Sequence, residues 1–170
     1  MWIGAIRLTV QTKDSPNAGT DHLVQTGVLR DGVELRLLNL DYPTENDLER
    51  GALRNYDYSG PTKLPRKNDQ TPELPSGVGQ NPMPYPGYGF EFSNGLNGHL
   101  KLRLKINGDD MWIKDNVDLY VRFIRQKATS FDTLAWIEDP DWTYIATWNQ
   151  DAAMSTDSSE GKTTWTMSLT

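Results

Sequence analysis

A chain of 170 residues with 36% hydrophobic residues is long enough to bury one core, which indicates a single domain. It has no cysteine, which excludes a disulfide framework, a thiol nucleophile and a thiolate metal site, and it has only two histidines for zinc. The formal net charge of -6 argues against non-specific nucleic-acid binding, because neutralising phosphates needs clustered Lys and Arg.

The first third of the chain alternates between apolar and polar residues, as β-strands do. In AIRLTVQT every second residue is apolar, which predicts a strand with one buried face. In HLVQTGVLRDGVELRLLNL, Asp31 and Gly32 separate two alternating runs and predict a hairpin, because both residues tolerate positive φ. TENDLERGALRNY has some helical spacing, but Gly51 and the alternation of Tyr56 and Tyr58 favour a strand.

A proline-rich segment then interrupts the pattern. Seven of the ten prolines lie between Pro61 and Pro86. Neither a core strand nor a helix accommodates so many prolines. We therefore predict one domain over residues 1–170 that contains a Pro/Gly-rich inserted arm over residues 59–88.

Alternation resumes after the arm. GHLKLRLKI and WIKDNVDLYVRF each predict a strand, and Asn107-Gly108-Asp109 between them predicts a hairpin turn. The tail holds four of the six tryptophans, at positions 136, 142, 148 and 165, and fits two closing strands. About seven strands without a convincing helix predict an all-β fold, an antiparallel two-sheet β-sandwich.

Targeting signals are not evident. The N-terminus shows no basic segment followed by an apolar run, and no stretch of about 18 apolar residues occurs. We expect a chain without a signal peptide that is cytoplasmic as synthesised, with a virion or an exported assembly as the alternative location.

Three segments occur in a characteristic order over residues 5–124: TKDSPNAGTDHLV, NDLERG and GDDMWIKDNVDLYV. They resemble the PLAT (lipoxygenase-homology) domain family, whose patterns are (D/N)-x-GTD-x-x-V, NDFERG and W-x-(L/I)-(D/E)-x-V-x-V. Leu48 replaces the usual aromatic residue of the second pattern. The resemblance implies a PLAT-like β-sandwich, a β-fold found beside enzymes as an accessory module without catalysis of its own.

The resemblance also implies calcium sites where the loops meet at one end of the sandwich. It assigns one ion to Thr20, Asp21, Asn46 and Asp47, and a second to Asn17, the carbonyl of Gly19, and Asp109 or Asp110. Calcium takes six to eight oxygen ligands, and such loops offer them. The same residue types also form ordinary turns, so a purely architectural role stays open.

Catalytic combinations are not apparent, and we predict that the protein is not an enzyme. His22 lies beside Asp21, but no serine occupies a G-x-S-x-G elbow. No carboxylate lies in an apolar segment that would raise its pKa toward that of a general acid.

Three functions remain open. The first is a non-catalytic module that binds a protein partner, less readily a lipid, with the help of calcium. The second is a structural or decorating subunit of a virus particle, phage tail or similar assembly, in which the arm packs on a neighbour and an oligomer forms. The third is a small hydrolase with carboxylate chemistry, which the sequence supports least. We expect weak or no membrane binding, because SPNAGTD and YPTEND offer only Tyr42 as a large apolar residue.

Overall fold

The computed structural model describes residues 2–30, 33–42, 45–59, 100–130 and 133–168. These residues form strands without any helix, and so without a helix that could cross a membrane. The ten strands are β1 (Trp2–Thr12), β2 (Val24–Arg30), β3 (Val33–Asn39), β4 (Leu53–Ser59), β5 (Leu100–Ile106), β6 (Trp112–Ser130), β7 (Thr133–Glu138), β8 (Thr143–Trp148), β9 (Ala152–Met154) and β10 (Thr164–Ser168).

The strands form two antiparallel sheets, as predicted. The larger sheet has the order β4-β1-β6, and β9, β8 and β7 follow one another along the other side of β6. The smaller sheet has the order β10-β5-β2-β3. The all-β, two-sheet sandwich is thereby confirmed.

The core lies between the sheets and follows the alternation of the sequence. In β1, Ile6, Leu8 and Val10 are buried, and they join one apolar cluster with Leu104 and Ile106 of β5. Since successive residues of a strand point to opposite faces, each strand contributes every second side chain. The predicted strand over Tyr56 and Tyr58 is also present, with both rings buried.

The two predicted hairpins have different outcomes. β2 and β3 pair antiparallel up to Arg30 and Val33, as expected, although Asp31 and Gly32 themselves lie outside the described residues. The predicted β5–β6 hairpin is wrong, because the two strands belong to different sheets. The amide of Asn107 donates to the carbonyl of Leu23 (3.0 Å), which extends the β2–β5 pairing by one residue before the chain crosses to β6 of the larger sheet.

The C-terminal prediction of two closing strands is also wrong, because the tail forms four. β6 is 19 residues long, and one of its edges has room for β7, β8 and β9 in succession, whereas β10 pairs with β5. The predicted arm, residues 59–88, lies outside the described residues except for Ser59 at the end of β4.

Candidate functional site

The two acidic loops singled out in the sequence meet at one end of the sandwich. Thr20 and Leu48 form an isolated antiparallel bridge, in which the amide of Thr20 donates to the carbonyl of Leu48 (3.2 Å). A Cβ atom on Gly19 would lie 2.8 Å from the amide nitrogen of Arg50 and 3.1 Å from the Cα of Glu49. Glycine is therefore required at position 19 for the two backbones to approach.

Local turn chemistry shapes both loops. Asn17 has φ of 58° and Gly51 has φ of 69°, and both residue types tolerate this left-handed conformation. The Nε of Arg50 donates to Oδ1 of Asp14 at 2.7 Å, so an exposed ion pair joins the second loop to the first. These contacts fix the loops before any ligand is considered.

A third loop, between β5 and β6, is joined to the first by hydrogen bonds. The hydroxyl of Thr20 donates to the carbonyl of Asp110 (3.3 Å), and the amide of Asp21 donates to Oδ2 of Asp110 (3.3 Å). In return, the amide of Asp110 donates to Nδ1 of His22 (3.2 Å). The side chain of Asp110 is therefore engaged, while the side chain of Asp109 is 84% exposed.

The loop between β9 and β10 completes this end of the molecule. The hydroxyl of Ser155 donates to the carbonyl of Asp109 (2.8 Å), and the amide of Thr156 donates to the carbonyl of Gly108 (2.9 Å). Glu160 of the same loop thereby reaches the cleft that Asp109 lines. We refer to these four loops together as the loop end.

Two clefts at the loop end are lined by the residues of the two predicted sets. The small cleft, of about 260 Å³, is lined by all four residues of the first set: Thr20, Asp21, Asn46 and Asp47. The large cleft, of about 500 Å³, is lined by the residues of the second set: Asn17, Gly19, Asp109 and Asp110. Thr20 and Asp21 line both clefts, so they lie on the ridge between them.

Asp47 is the buried carboxylate of the small cleft. Its side chain is 4% exposed, and burial raises its pKa above the ordinary value. Oδ2 accepts the amide of Tyr42, whereas Oδ1 has no hydrogen-bond partner and lies 4.0 Å from Nε of Arg54. One carboxylate oxygen is thus buried with only a distant cation for compensation.

The carboxylates alone do not define a metal site. Within the described residues, no three His, Asp or Glu side chains are grouped closely enough to hold an ion. Any ion in these clefts would depend on hydroxyl, amide and carbonyl oxygens as well, which is a donor set that calcium accepts.

Further acidic residues line the clefts beyond those that the sequence predicted. Asp41 and Glu45 line the small cleft, and Glu49 and Glu160 line the large one. Glu49 belongs to the NDLERG motif and could have been proposed from it. Glu160 could not, because only the contacts of Ser155 and Thr156 bring its loop to this end.

Comparison with known proteins identifies the fold. No protein-family model and no curated protein sequence matches the chain. The solved alpha toxin of Clostridium absonum matches 99% of this chain with a TM-score of 0.51 and 17% identity. An alpha toxin of Clostridium perfringens from an avian strain matches 97% with a TM-score of 0.53 and 12% identity. The fold is PLAT-like.

The PLAT-like chain spans about a third of the length of these toxins, 31% in each case. Coral 8R-lipoxygenase, described as activated by calcium through a C2-like domain, matches 89% of this chain and 16% of its own, with a TM-score of 0.43 and 16% identity. The matches to the toxins therefore concern one part of a longer chain.

Proposed function

We propose that this PLAT-like sandwich is a non-catalytic binding module that attaches to a protein partner through its loop end, with calcium ordering the loops. The observation that carries the proposal is the bridge between Thr20 and Leu48, which brings the two acidic motifs into contact. The first predicted ligand set then lines the small cleft and the second set lines the large one, with Thr20 and Asp21 on the ridge between the two clefts.

The donor chemistry fits calcium in both clefts. In the small cleft Asp21 and Asp47 would supply charge, and Thr20 and Asn46 would supply neutral oxygens. In the large cleft the donors would be Asn17, the carbonyl of Gly19, and Asp109 or Asp110. Bound calcium would add positive charge to clefts in which carboxylates outnumber cationic side chains.

Crowded carboxylates give the loop end a reason to bind a cation. Asp21, Asp41, Glu45 and Asp47 line the small cleft, and both Asp41 and Glu45 raise the pKa of Asp47 further by repulsion. Neighbouring carboxylates disfavour one another's ionised forms, because their charges repel. A divalent cation would relieve this repulsion and would hold the loops together.

The surface of the loop end favours a protein over a lipid bilayer. Tyr42, the candidate membrane contact, stacks on Tyr56 with centroids 5.3 Å apart, and its hydroxyl donates to the carbonyl of Asn55. Its ring is therefore committed to the fold. Leu53, at the start of β4, is 60% exposed, but a stable membrane anchor needs a larger apolar surface than one leucine.

The geometry of His22 supports a binding role rather than a catalytic one. Nδ1 of His22 already accepts the amide of Asp110 at 3.2 Å. A general base needs a free acceptor within reach of the proton that it removes. Nδ1 of His22 instead helps to fix the first loop to the third.

Calcium-dependent thermal stability tests the role of the ion. A ligand that binds only the folded state adds RT ln(1 + [L]/Kd), so a site of roughly 10 µM affinity at 1 mM calcium would add about 2.7 kcal/mol. For a domain of this size we expect the melting temperature to rise by roughly 5 to 10 °C relative to chelator. Magnesium should substitute poorly, because it demands a tight octahedral shell.

Asp21→Asn and Asp47→Asn should each remove most of the calcium-dependent shift. Asp118→Asn is the matched control, because it makes the same change of charge on β6, away from the clefts, and it should keep the shift. Equal melting temperatures of the wild type in chelator and in calcium would contradict calcium binding and leave the two motifs as turn architecture.

Attachment to a protein is tested separately. The wild type and Asp21→Asn are immobilised, and bound proteins from the native source are compared in calcium and in chelator. We expect a partner that the wild type retains in calcium and that Asp21→Asn loses. If the protein instead floats with anionic liposomes in calcium, its partner is a membrane, and this result would contradict attachment to a protein.

A further inference from the structure

A third groove, which shares no lining residue with the acidic clefts, lies between edge strands of the two sheets. β8 pairs with β6 in the larger sheet, and β10 pairs with β5 in the smaller one, and no pairing joins β8 to β10. The space between them is about 520 Å³ and is lined by residues 144–150 and 165–168. This volume is in the range of small-molecule sites, roughly 300 to 1,000 Å³.

The lining of the groove is free of charge. None of the lining residues is Asp, Glu, Lys, Arg or His, although 24% of the chain is charged. Three aromatic residues line the groove, Tyr144, Trp148 and Trp165. Side chains with hydroxyl or amide groups accompany them: Thr147, Asn149, Gln150, Thr166 and Ser168.

The two tryptophans are held in place by a buried lysine and by a hydrogen bond across the gap. Lys114 is fully buried, and its Nζ donates to the carbonyl of Trp148 at 2.9 Å. The same ammonium lies 4.7 Å from the centroid of the Trp165 ring, a cation–π contact. The indole N–H of Trp148 donates to the carbonyl of Ser168 (3.3 Å), which joins β8 to β10.

This arrangement is a preorganised site. Both side chains are only half-buried, so part of each is accessible to a ligand, while the cation–π contact of Lys114 restricts the Trp165 ring and the hydrogen bond to Ser168 restricts the Trp148 ring. Lys114 does not itself line the groove, so it acts as a positioning residue for the tryptophans.

We propose that the groove between β8 and β10 binds a neutral carbohydrate. Aromatic rings offer flat apolar surfaces for the C–H faces of pyranose rings, and side-chain amides and hydroxyls exchange hydrogen bonds with sugar hydroxyls. The uncharged lining matches an uncharged ligand. An apolar peptide anchor would instead bury the amide and hydroxyl groups of Asn149, Gln150 and Thr166 without partners, which is costly.

Titration with defined oligosaccharides tests the proposal. The probes are cellohexaose, maltohexaose, xylohexaose and chitohexaose, and binding is followed by calorimetry and by tryptophan fluorescence. We expect at least one probe to bind with a Kd between about 10 µM and 1 mM, the range of weak small-molecule recognition. Lack of binding by all four at about 5 mM would overturn the assignment.

Substitutions in the groove test whether the carbohydrate binds there. Trp148→Ala and Trp165→Ala should weaken the affinity at least about tenfold, because each removes a stacking surface. The double variant Asn149→Ala/Gln150→Ala changes only exposed side chains, so it should fold normally and still lose affinity. Trp142→Phe is the matched control, because Trp142 lies between the guanidinium groups of Arg7 and Arg122, outside the groove. Unchanged affinity in the tryptophan and double variants would overturn the site.

Lys114→Met tests the positioning role. The groups that face Lys114 are the carbonyls of Asp115 and Trp148 and the Trp165 ring, with the carboxylates of Asp115 and Asp151 nearby. The wild type should lose affinity as the pH rises through about 8 and the ammonium is neutralised. Lys114→Met should bind more weakly and without this pH dependence. A wild-type affinity that is constant from pH 7 to about 9.5 would contradict the role of Lys114.

Discussion

Gly19 shows how a single residue decides whether the loop end forms. Its missing side chain allows the first loop to lie against the backbone of Glu49 and Arg50. Gly19→Ala should therefore destabilise the fold by about 1 to 3 kcal/mol, because backbone atoms would have to move. The measurement is urea unfolding in chelator.

Asn17→Gly is the control for this substitution, since φ of 58° suits glycine and the same loop is altered. It should change the free energy of unfolding by less than about 0.5 kcal/mol. A similarly small effect of Gly19→Ala would contradict the close approach of the two loops.

Lys114 makes stability depend on pH in an unusual direction. Burial lowers its pKa from 10.5 to about 8, although Asp115 and Asp151 act in the opposite sense. Between these two values the unfolded chain holds a proton that the folded chain has released. Stability should therefore rise from pH 8 to about 10, by an amount on the order of 1 to 3 kcal/mol.

Urea unfolding at pH 7, 8, 9 and 10 measures whether the free energy of unfolding rises with pH as expected. Lys114→Met should remove the rise, whereas Lys105→Met, at an exposed position of β5, should keep it. The pKa of Tyr42 is raised to about 12, so its effect falls above this window. A wild-type profile that is flat from pH 8 to 10 would show that the Lys114 ammonium is not desolvated.

At the scale of elements, local patterns predict strands well and their partners less well. The alternation in β1, β5 and β6 gives each strand and its buried face. The turn at Asn107 and Gly108 suggested a hairpin, because turn residues are the same whether the chain returns to its neighbour or crosses to another sheet. The sheet that each strand joins is decided by the burial of side chains such as Leu104 and Trp112. This burial depends on strands far away in sequence.

The uneven pairing of β6 predicts uneven protection from solvent. Val117–Val121 pairs with β1 on one edge and β8 on the other. Residues 125–130 pair with β7 alone within the part of the chain that the structure describes. Amide hydrogens of the first segment should exchange slowest, and alternate amides of the second at least roughly 100-fold faster.

Hydrogen exchange followed by NMR measures this difference within one strand, so solvent conditions and global stability are shared. The amides of Ile6, Leu8 and Val10 in β1, which pairs with both β4 and β6, provide an internal reference for full protection. Uniform protection over residues 125–130 would mean that a further segment covers this edge.

For the whole molecule, the proline-rich arm predicts where proteases act. Lys63 and Arg66 lie in the arm predicted from the sequence, whereas Arg103 and Lys105 lie within β5, which pairs on both edges. Trypsin should cleave at Lys63 or Arg66 first, because cleavage needs a locally extended and accessible chain. Mass spectrometry of early fragments identifies the site.

Lys63→Gln/Arg66→Gln/Lys67→Gln, which also removes the adjoining lysine, should delay this first cleavage without changing the melting temperature. A first cut at Arg103 or Lys105 would contradict the assignment of the arm, unless a partner chain protects it.

The candidate sites were predictable to different degrees. NAGTD and ENDLERG pointed to part of the lining of both acidic clefts, because residue types and spacing are local properties, whereas Glu160 is brought there by a loop far away in sequence. The groove between β8 and β10 was not predictable. Its tryptophans stood out in the sequence, but Trp148 and Trp165 become neighbours only because β8 and β10 end up at the edges of different sheets.

The pairing of β1 with β6 has a consequence for synthesis of the protein in cells. β1 begins at Trp2, and its central partner begins at Trp112. At roughly 5 to 20 residues per second, the ribosome needs on the order of ten seconds to deliver that partner. Until then β1 has only β4 beside it, and one edge of β1 and the lateral apolar contacts of Ile6, Leu8 and Val10 with β6 are missing. The nascent chain should therefore be a client of chaperones that bind exposed apolar strands, and it should complete its fold only after β6 has been synthesised.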